Sequence, residues 1–282
     1  MNSVVSTNKL DHRSWQAELS LAYKKSHGRS VIASREHVGP LVVQKPFYPE
    51  GDEVCHTYLL HPPGGVVGGD QLTINVSVET DAHALITTPA STKFYRCDDR
   101  HAQQKQNLTV ANHATLEWLP QDTILFDQSK VNTITRVELA PQASFAGWEI
   151  LCLGRPASGE IYNNGFCRQT FEIWRDETPV LIERAALLGG SDLLKAKWGL
   201  ADYSVMGLMV VVGANRELLE LARSAESVDN GLGSITLIGD LLVCRCLADQ
   251  GMAAREYFTR VWQALRMQWI GRPAELPRIW NT

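Results

Sequence analysis

The stretch Leu59 to Leu72, LLHPPGGVVGGDQL, holds the most unusual concentration of residue types in the chain. Pro62 and Pro63 fix φ and remove two backbone donors, while the pairs Gly64-Gly65 and Gly68-Gly69 permit φ above zero. That composition makes two tight turns around Val66 and Val67, with an imidazole, His61, before them and a carboxylate, Asp70, after them. As a phosphate loop the segment fails, because neither Lys-Ser nor Lys-Thr follows the glycines and the spacing is not G-x-G-x-x-G ahead of a helix. A rigid double turn is the plain reading, and it leaves His61 and Asp70 to be explained.

Other reactive residues are dispersed. All eight histidines (His12, His27, His37, His56, His61, His83, His101 and His113) fall within the first 113 residues, a skew that raises metal binding. No pair has H-E-x-x-H or C-x-x-C spacing, which argues against a tight zinc site. His83 and His113 fall in similar turn segments and read as surface residues. Cys244 and Cys246 share a face at i and i+2 of a strand, and read first as two small buried hydrophobes. There is no G-x-S-x-G elbow for an acyl-transfer nucleophile. Asp98, Asp99, Asp122, Asp127, Glu172 and Glu183 would have to be gathered by the fold to act as paired carboxylates. Lys93, Arg96 and Arg100 flank Phe94 and Tyr95, a pattern commoner in protein contacts and solvated faces than in nucleic-acid platforms.

The elements that must position these residues are mostly strands. Short runs such as QLTINVSVE, ALITTP, QKQNLTVA, VNTITRVEL and FCRQTFEIW, punctuated by Gly, Pro, Asn and Asp, fill the chain from about residue 15 to 212. Leu72, Ile74, Val76 and Val78 recur at period two against Thr73, Asn75, Ser77 and Glu79, which makes a strand with one apolar face. VETDAHAL, VANHATL and LAPQASF each place an apolar residue four positions before an alanine: Ala82, Ala114 and Ala143. A period near thirty built of two strands and a turn suggests stacked β units; three similar hairpin turns in a sandwich are the alternative. From about residue 213 the pattern becomes helical, over Asn215 to Ser224 and over Ala253 to Ile270, with SITLIGDLLVCRCLA between them as a strand pair turning at Gly239-Asp240. No Pro-rich or Ser-rich linker divides the parts, so the 282 residues are expected to form one unit.

Composition narrows the function classes. With 27 basic and 31 acidic residues the formal charge is -4, so nucleic acid or an anionic membrane would have to be met by a local patch. The first twenty residues lack an apolar signal core, no apolar run approaches a membrane span, and six dispersed cysteines read as free thiols. A cytoplasmic location is the expectation.

LLHPPGGVVGGDQL resembles the signature of the urease accessory protein D family (UreD, or UreH), and HVGPLVVQKPFYPEG, TTPASTKFYRC, LEWLPQDTILFD, LCLGRPASGE, LIERAAL and LPRIWNT extend the likeness from residue 15 to 282. Cys97 departs from it, standing where the family pattern has a serine after Tyr95-Arg96. The resemblance implies a mainly β, β-helix-like stack of strands with two C-terminal helices. It also implies a cytoplasmic, non-enzymatic scaffold that assembles with UreF and UreG on apo-urease and supports nickel delivery to the enzyme. No tightly bound cofactor is implied, only transient Ni²⁺. Such an ion in transit wants sparse, exchangeable ligands rather than a closed cage. Asp70, Glu183 and His61, with Thr88 nearby, are the expected residues of an internal nickel path, and the local alternative is that Asp70 caps its turn and Glu183 pairs with a base. Arg278 and Trp280 are residue types favoured at interfaces, and are the candidates for partner binding. The competing function is a β-helical hydrolase or lyase using clustered carboxylates.

Overall fold

The computed structural model describes residues 14–225 and 227–281; His12 lies outside them. In chain order come β1 (Gln16–Ser26), β2 (Arg29–Val38), β3 (Val42–Val43), β4 (Val54–Leu60), β5 (Gln71–Val78), β6 (His83–Thr87), β7 (Thr92–Phe94), β8 (Ala102–Val110) and β9 (Thr115–Trp118). They are followed by β10 (Thr123–Leu125), β11 (Lys130–Leu139), β12 (Ser144–Arg155), β13 (Glu160–Ile161), β14 (Phe166–Arg175), β15 (Thr178–Leu188) and α1 (Asp192–Lys195). The last elements are β16 (Val205–Val212), α2 (Arg216–Ser224), β17 (Gly231–Ile238), β18 (Leu241–Ala248) and α3 (Gly251–Ile270).

A seven-stranded sheet has the order β15-β14-β11-β8-β5-β1-β2, and its five middle strands are parallel. The second sheet follows the path β17-β18-β16-β12-β9-β6-β4-β3, parallel from β12 to β4. The chain passes from one sheet to the other at each corner, β5 to β6, β8 to β9 and β11 to β12, which makes a β-solenoid of about four turns.

The alanine repeat is the rung length of this solenoid. Asn107 lies beside Asn75, 32 positions away, and Thr135 beside Gln106, 29 positions away. Ala82, Ala114 and Ala143 are buried at successive corners, and each corner bonds to the next, Thr115 N–H to Ala82 O and Ser144 N–H to Ala114 O, both at 2.9 Å. The two corner histidines are not equivalent, contrary to the sequence expectation. His113 is exposed with φ at 59°, whereas His83 lies opposite Thr115 in β6 and is buried against Glu117.

Two apolar layers result. Leu72, Ile74, Val76 and Val78 point between the sheets and join Leu19, Leu21, Leu108, Val137, Phe171 and Trp118 there. The other face of the second sheet buries Trp148, Met209, Cys244 and Cys246 under α2 and α3 through Leu218, Phe258, Val261 and Trp262. These are the two expected C-terminal helices: Asn215 caps α2 by accepting from Leu218 N–H at 2.9 Å, and Gly271 ends α3 with φ at 69°. The short helix α1 is an addition to that expectation, and no helix is long and apolar enough to cross a membrane among the described residues.

A buried charge network fixes α3 to the sheet. The Arg266 guanidinium donates to Glu117 at 3.0 Å and to Glu50 at 2.6 and 2.9 Å; His83 bonds Glu117 at 2.7 Å, His56 bonds Glu50 at 2.6 Å, and Trp262 Nε1–H reaches Glu117 at 2.6 Å. Burial alone would raise the Glu117 carboxyl, but its bonds and attraction to His83 and Arg266 outweigh that and hold it at about 2.

Candidate functional site

The glycine-rich loop packs by backbone contact. Val66 is buried and bridges to β7, donating its N–H to Lys93 O at 2.7 Å and accepting from Tyr95 N–H at 2.9 Å. A Cβ on Gly65 would overlap the Tyr95 ring, and one on Gly68 would meet Cys97 Cβ at 2.5 Å and Arg100 O at 2.8 Å. Gly69 adopts φ of +94°. Asp70 then closes the loop, accepting from Val67 N–H at 2.9 Å and from Trp15 N–H at 2.7 Å. Gly65→Ala is expected to cost about 1–3 kcal/mol through overpacking against Tyr95. A lowered urea midpoint with unchanged slope would show it, and an unchanged midpoint would contradict the packing argument.

Behind this loop lies a cavity of about 190 Å³ between the two sheets, with His61, Pro62 and Gly64 on one wall and Thr88, Ser91 and Lys93 on another. Its inner wall is one register row of the seven-stranded sheet, Leu72, Gln104, Thr133 and Gln169, with Gln106 in the next row. Glu149 of β12 faces them across the gap. Gln169 Nε2–H donates to Glu149 Oε2 at 2.6 Å, Thr135 Oγ1 bonds both Glu149 and Gln106, and Thr133 Oγ1 is buried with no hydrogen-bond partner among the described residues. Burial pushes the Glu149 carboxyl up, against the lowering effect of Thr135 and Gln169, so within a mostly apolar wall the amides and hydroxyls of Gln104, Gln106, Thr133 and Gln169 gather near a carboxyl that charges reluctantly. At its edge burial draws the His61 imidazole below its ordinary value, opposed by the Asp70 charge, which keeps a neutral ring available as a ligand.

The expected residues separate into two groups. His61 and Thr88 line the cavity, with Pro62 and Gly64 of the loop; Pro63, Gly65, Gly68 and Gly69 shape the loop, and Asp70 is spent on capping it. Glu183 stands on edge strand β15 and pairs with Arg245 of β18, so it joins the two sheets away from the loop. Trp280 turns inward: its Nε1–H donates to Thr87 Oγ1 at 2.8 Å and its ring packs 5.8 Å from that of Trp148, while Arg278 stays exposed. The structure therefore uses Trp280 for intramolecular docking. Sequence reasoning missed Glu149, Gln104, Gln106, Thr133 and Gln169; the signal for the two glutamines was their even-numbered, inward parity in β8.

The carboxylates do not meet. Asp98 pairs with Arg100, Asp99 with Lys130, Glu172 with Arg184 and Arg136, while Asp127 accepts from the N–H groups of Asn163 and Asn164 and Asp122 from Ser91. Among the described residues no three His, Cys, Asp or Glu side chains are grouped to hold a metal ion. Burial pushes the thiols of Cys244 and Cys246 up to about 12, Cys246 being raised further by Cys244. Both are expected to resist iodoacetamide at pH 8 in the native protein and to react after unfolding. Rapid native labelling of either would show that the layer under α3 opens.

Comparison with known proteins places these features in context. A family model described as UreD urease accessory protein matches residues 16–281. The protein named urease accessory protein UreD from Citrobacter koseri is 45% identical over 270 residues, covering 96% of this chain and 93% of its own length. Its namesake from Alcanivorax borkumensis is 44% identical over 278 residues, with 96% and 94% covered, and that from Klebsiella aerogenes 41% identical over 272 residues, with 96% and 98% covered.

Proposed function

Because the chain belongs to the UreD urease accessory protein family and so serves urease maturation rather than a catalytic turnover of its own, we propose that it scaffolds UreF and UreG on apo-urease and lets nickel cross its own interior. The observation that carries this reading is the chamber between the sheets, in whose mostly apolar wall Gln104, Gln106, Thr133, Glu149 and Gln169 are set, polar groups that a scaffold acting only through its surface would have no reason to bury there. Ni²⁺ accepts imidazole and carboxylate ligands, and an ion in transit must be released again. The chamber suits that need, since His61 is a single imidazole at the edge and Glu149 a single carboxyl inside.

Glu183 also finds a place on such a route. Gln106, Thr135, Phe171 and Glu183 share one row of the first sheet, and Glu149, Leu208 and Arg245 share one row of the second. The path would run from His61 and Thr88 through the chamber, past Phe171 and Leu208, to the Glu183–Arg245 pair. Asp70 would act by holding the loop beside His61 and by its charge. Arg278, exposed next to the docked Trp280, is the remaining candidate for partner contact, and these roles belong in the cytoplasm where urease is assembled.

Asp70→Ala and Glu183→Ala chains, produced with urease and the other accessory proteins at fixed nickel supply, test the route. Reduced nickel per urease in chains that still fold and form the complex is the expected result for both, with a lowered urea midpoint for Asp70→Ala because Trp15 N–H and Val67 N–H lose their acceptor. Full loading by a variant that folds and binds its partners would remove that side chain from the path.

A further inference from the structure

The seven-stranded sheet ends in β2 and β15, and both edges carry features that discourage a further strand. β2 holds Arg29, Arg35, Glu36 and His37, and its pairing with β1 shifts register between Ala22 and Tyr23; β15 holds Pro179, Glu183 and Arg184, and its pairing with β14 shifts between Ile173 and Trp174. Among the described residues one end of the second sheet is β17, and its edge lacks all of these devices. The strand GLGSITLI has no charged residue and no proline, pairs with β18 in unbroken register, and leaves Leu232 55% and Ile238 47% exposed. A flat, uncharged edge of this kind is a template for another strand.

Its pattern selects which strand. The two-residue turn Gly239-Asp240 makes Ile238 and Leu241 the closing hydrogen-bonded pair, so the even-numbered residues of β17 bond to β18. The odd-numbered ones, Gly231, Gly233, Ile235 and Leu237, turn their N–H and C=O groups to the free edge. Arg223 of α2 agrees with this parity, since its guanidinium reaches Ile235 O at 3.4 Å, a long bond that a strand can displace. Leu232, Ser234, Thr236 and Ile238 share one face, apolar at both ends and hydroxyl-bearing between, an order that reads the same in either direction. An antiparallel copy of β17 centred on Ile235 therefore sets Leu232 opposite Ile238 and Ser234 opposite Thr236, and joins the outward backbone groups of Ile235 to their own counterparts. No like charges meet across the axis. We propose that two copies of this chain pair edge to edge through β17, extending the second sheet across a two-fold axis. Eight residues a side are few against the roughly 20–30 of a standard interface, so the dimer is weak and concentration-dependent.

Sedimentation equilibrium of the full chain from about 1 to 200 µM is expected to show monomer passing to dimer, with amide exchange at Gly233, Ile235 and Leu237 slowing as the dimer fills. Leu232→Lys combined with Ile238→Lys, both at exposed positions, should keep the wild-type urea midpoint and weaken self-association about tenfold or more, because like charges then face each other across the axis. Leu232→Glu combined with Ile238→Glu should do the same. An equimolar mixture of the two double variants should dimerise again, since each introduced lysine then faces an introduced glutamate. A chain that stays monomeric throughout the range would overturn the assignment and leave this edge to a strand of another protein. A dimer that either double variant retains at wild-type strength, or a mixture that remains monomeric, would overturn it as well.

Discussion

Chains carrying Arg266→Met are expected to lose about 3–5 kcal/mol of folding stability, because the change leaves buried carboxylates without their shared cation. Arg266 and Glu117 side chains are wholly inaccessible and Glu50 is nearly so, and no water can replace the guanidinium at that depth. Adding Glu117→Gln should return part of the loss, since the remaining deficit is then a hydrogen-bond mismatch rather than a stranded charge. Trp262 reports on the site, because its Nε1–H bonds Glu117 directly. The same network sets the acid limb of stability. Glu117 titrates at about 2 in the folded chain against 4.5 for the free group, so its contribution is complete above pH 4.5 and disappears as pH falls toward 2. Urea unfolding followed by tryptophan fluorescence at pH 7 and pH 3 should show a smaller acid loss in Glu117→Gln than in the wild type. A loss under 1 kcal/mol for Arg266→Met would show that α3 is held by its apolar face alone.

Thr133→Phe is expected to reduce nickel loading of urease on the order of tenfold, because passage through a narrow route depends on its free diameter and on the polar groups that line it. The residue suits the purpose. Among the described residues its Oγ1 has no partner, so removing the hydroxyl strands no neighbour there, and its side chain points into the 190 Å³ cavity where a ring can be housed. Thr133→Val keeps the volume, removes the hydroxyl and should leave loading within about twofold, which separates blockage from loss of a ligand. Nickel per urease, urea midpoint and partner capture are measured on the same three chains. Wild-type loading by a stable, correctly assembled Thr133→Phe chain would exclude this cavity from the route.

Much of the architecture was legible in the sequence because it is periodic. The alternation in QLTINVSVE fixed which face of β5 turns inward, and the Ala82, Ala114 and Ala143 spacing anticipated the strand register, since residues one rung apart pair directly. Helical spacing likewise placed the two C-terminal helices, over 215–224 and 253–270 against the observed Arg216–Ser224 and Gly251–Ile270. What stayed hidden depends on contacts across long separations. Glu149 sits within the apolar run WEILCLG and reads as a strand residue until β11 and β14 bring Thr135 and Gln169 to it. Arg266 occupies an ordinary position in α3, and its partners are 149 and 216 residues away. The turn motif around His83 suggested a surface residue, because Glu117, 34 positions on, supplies the bond that makes its burial tolerable. Urease and nickel came from the family resemblance; no residue spacing in the chain names either.

The most direct test of the central claim is the nickel content and activity of urease purified from cells that carry the urease operon with and without this chain, at fixed nickel supply and with the remaining accessory proteins shown to be present. Urease loaded and active only when the chain is present is the predicted result. Equal nickel content and activity in both would contradict a maturation role for it.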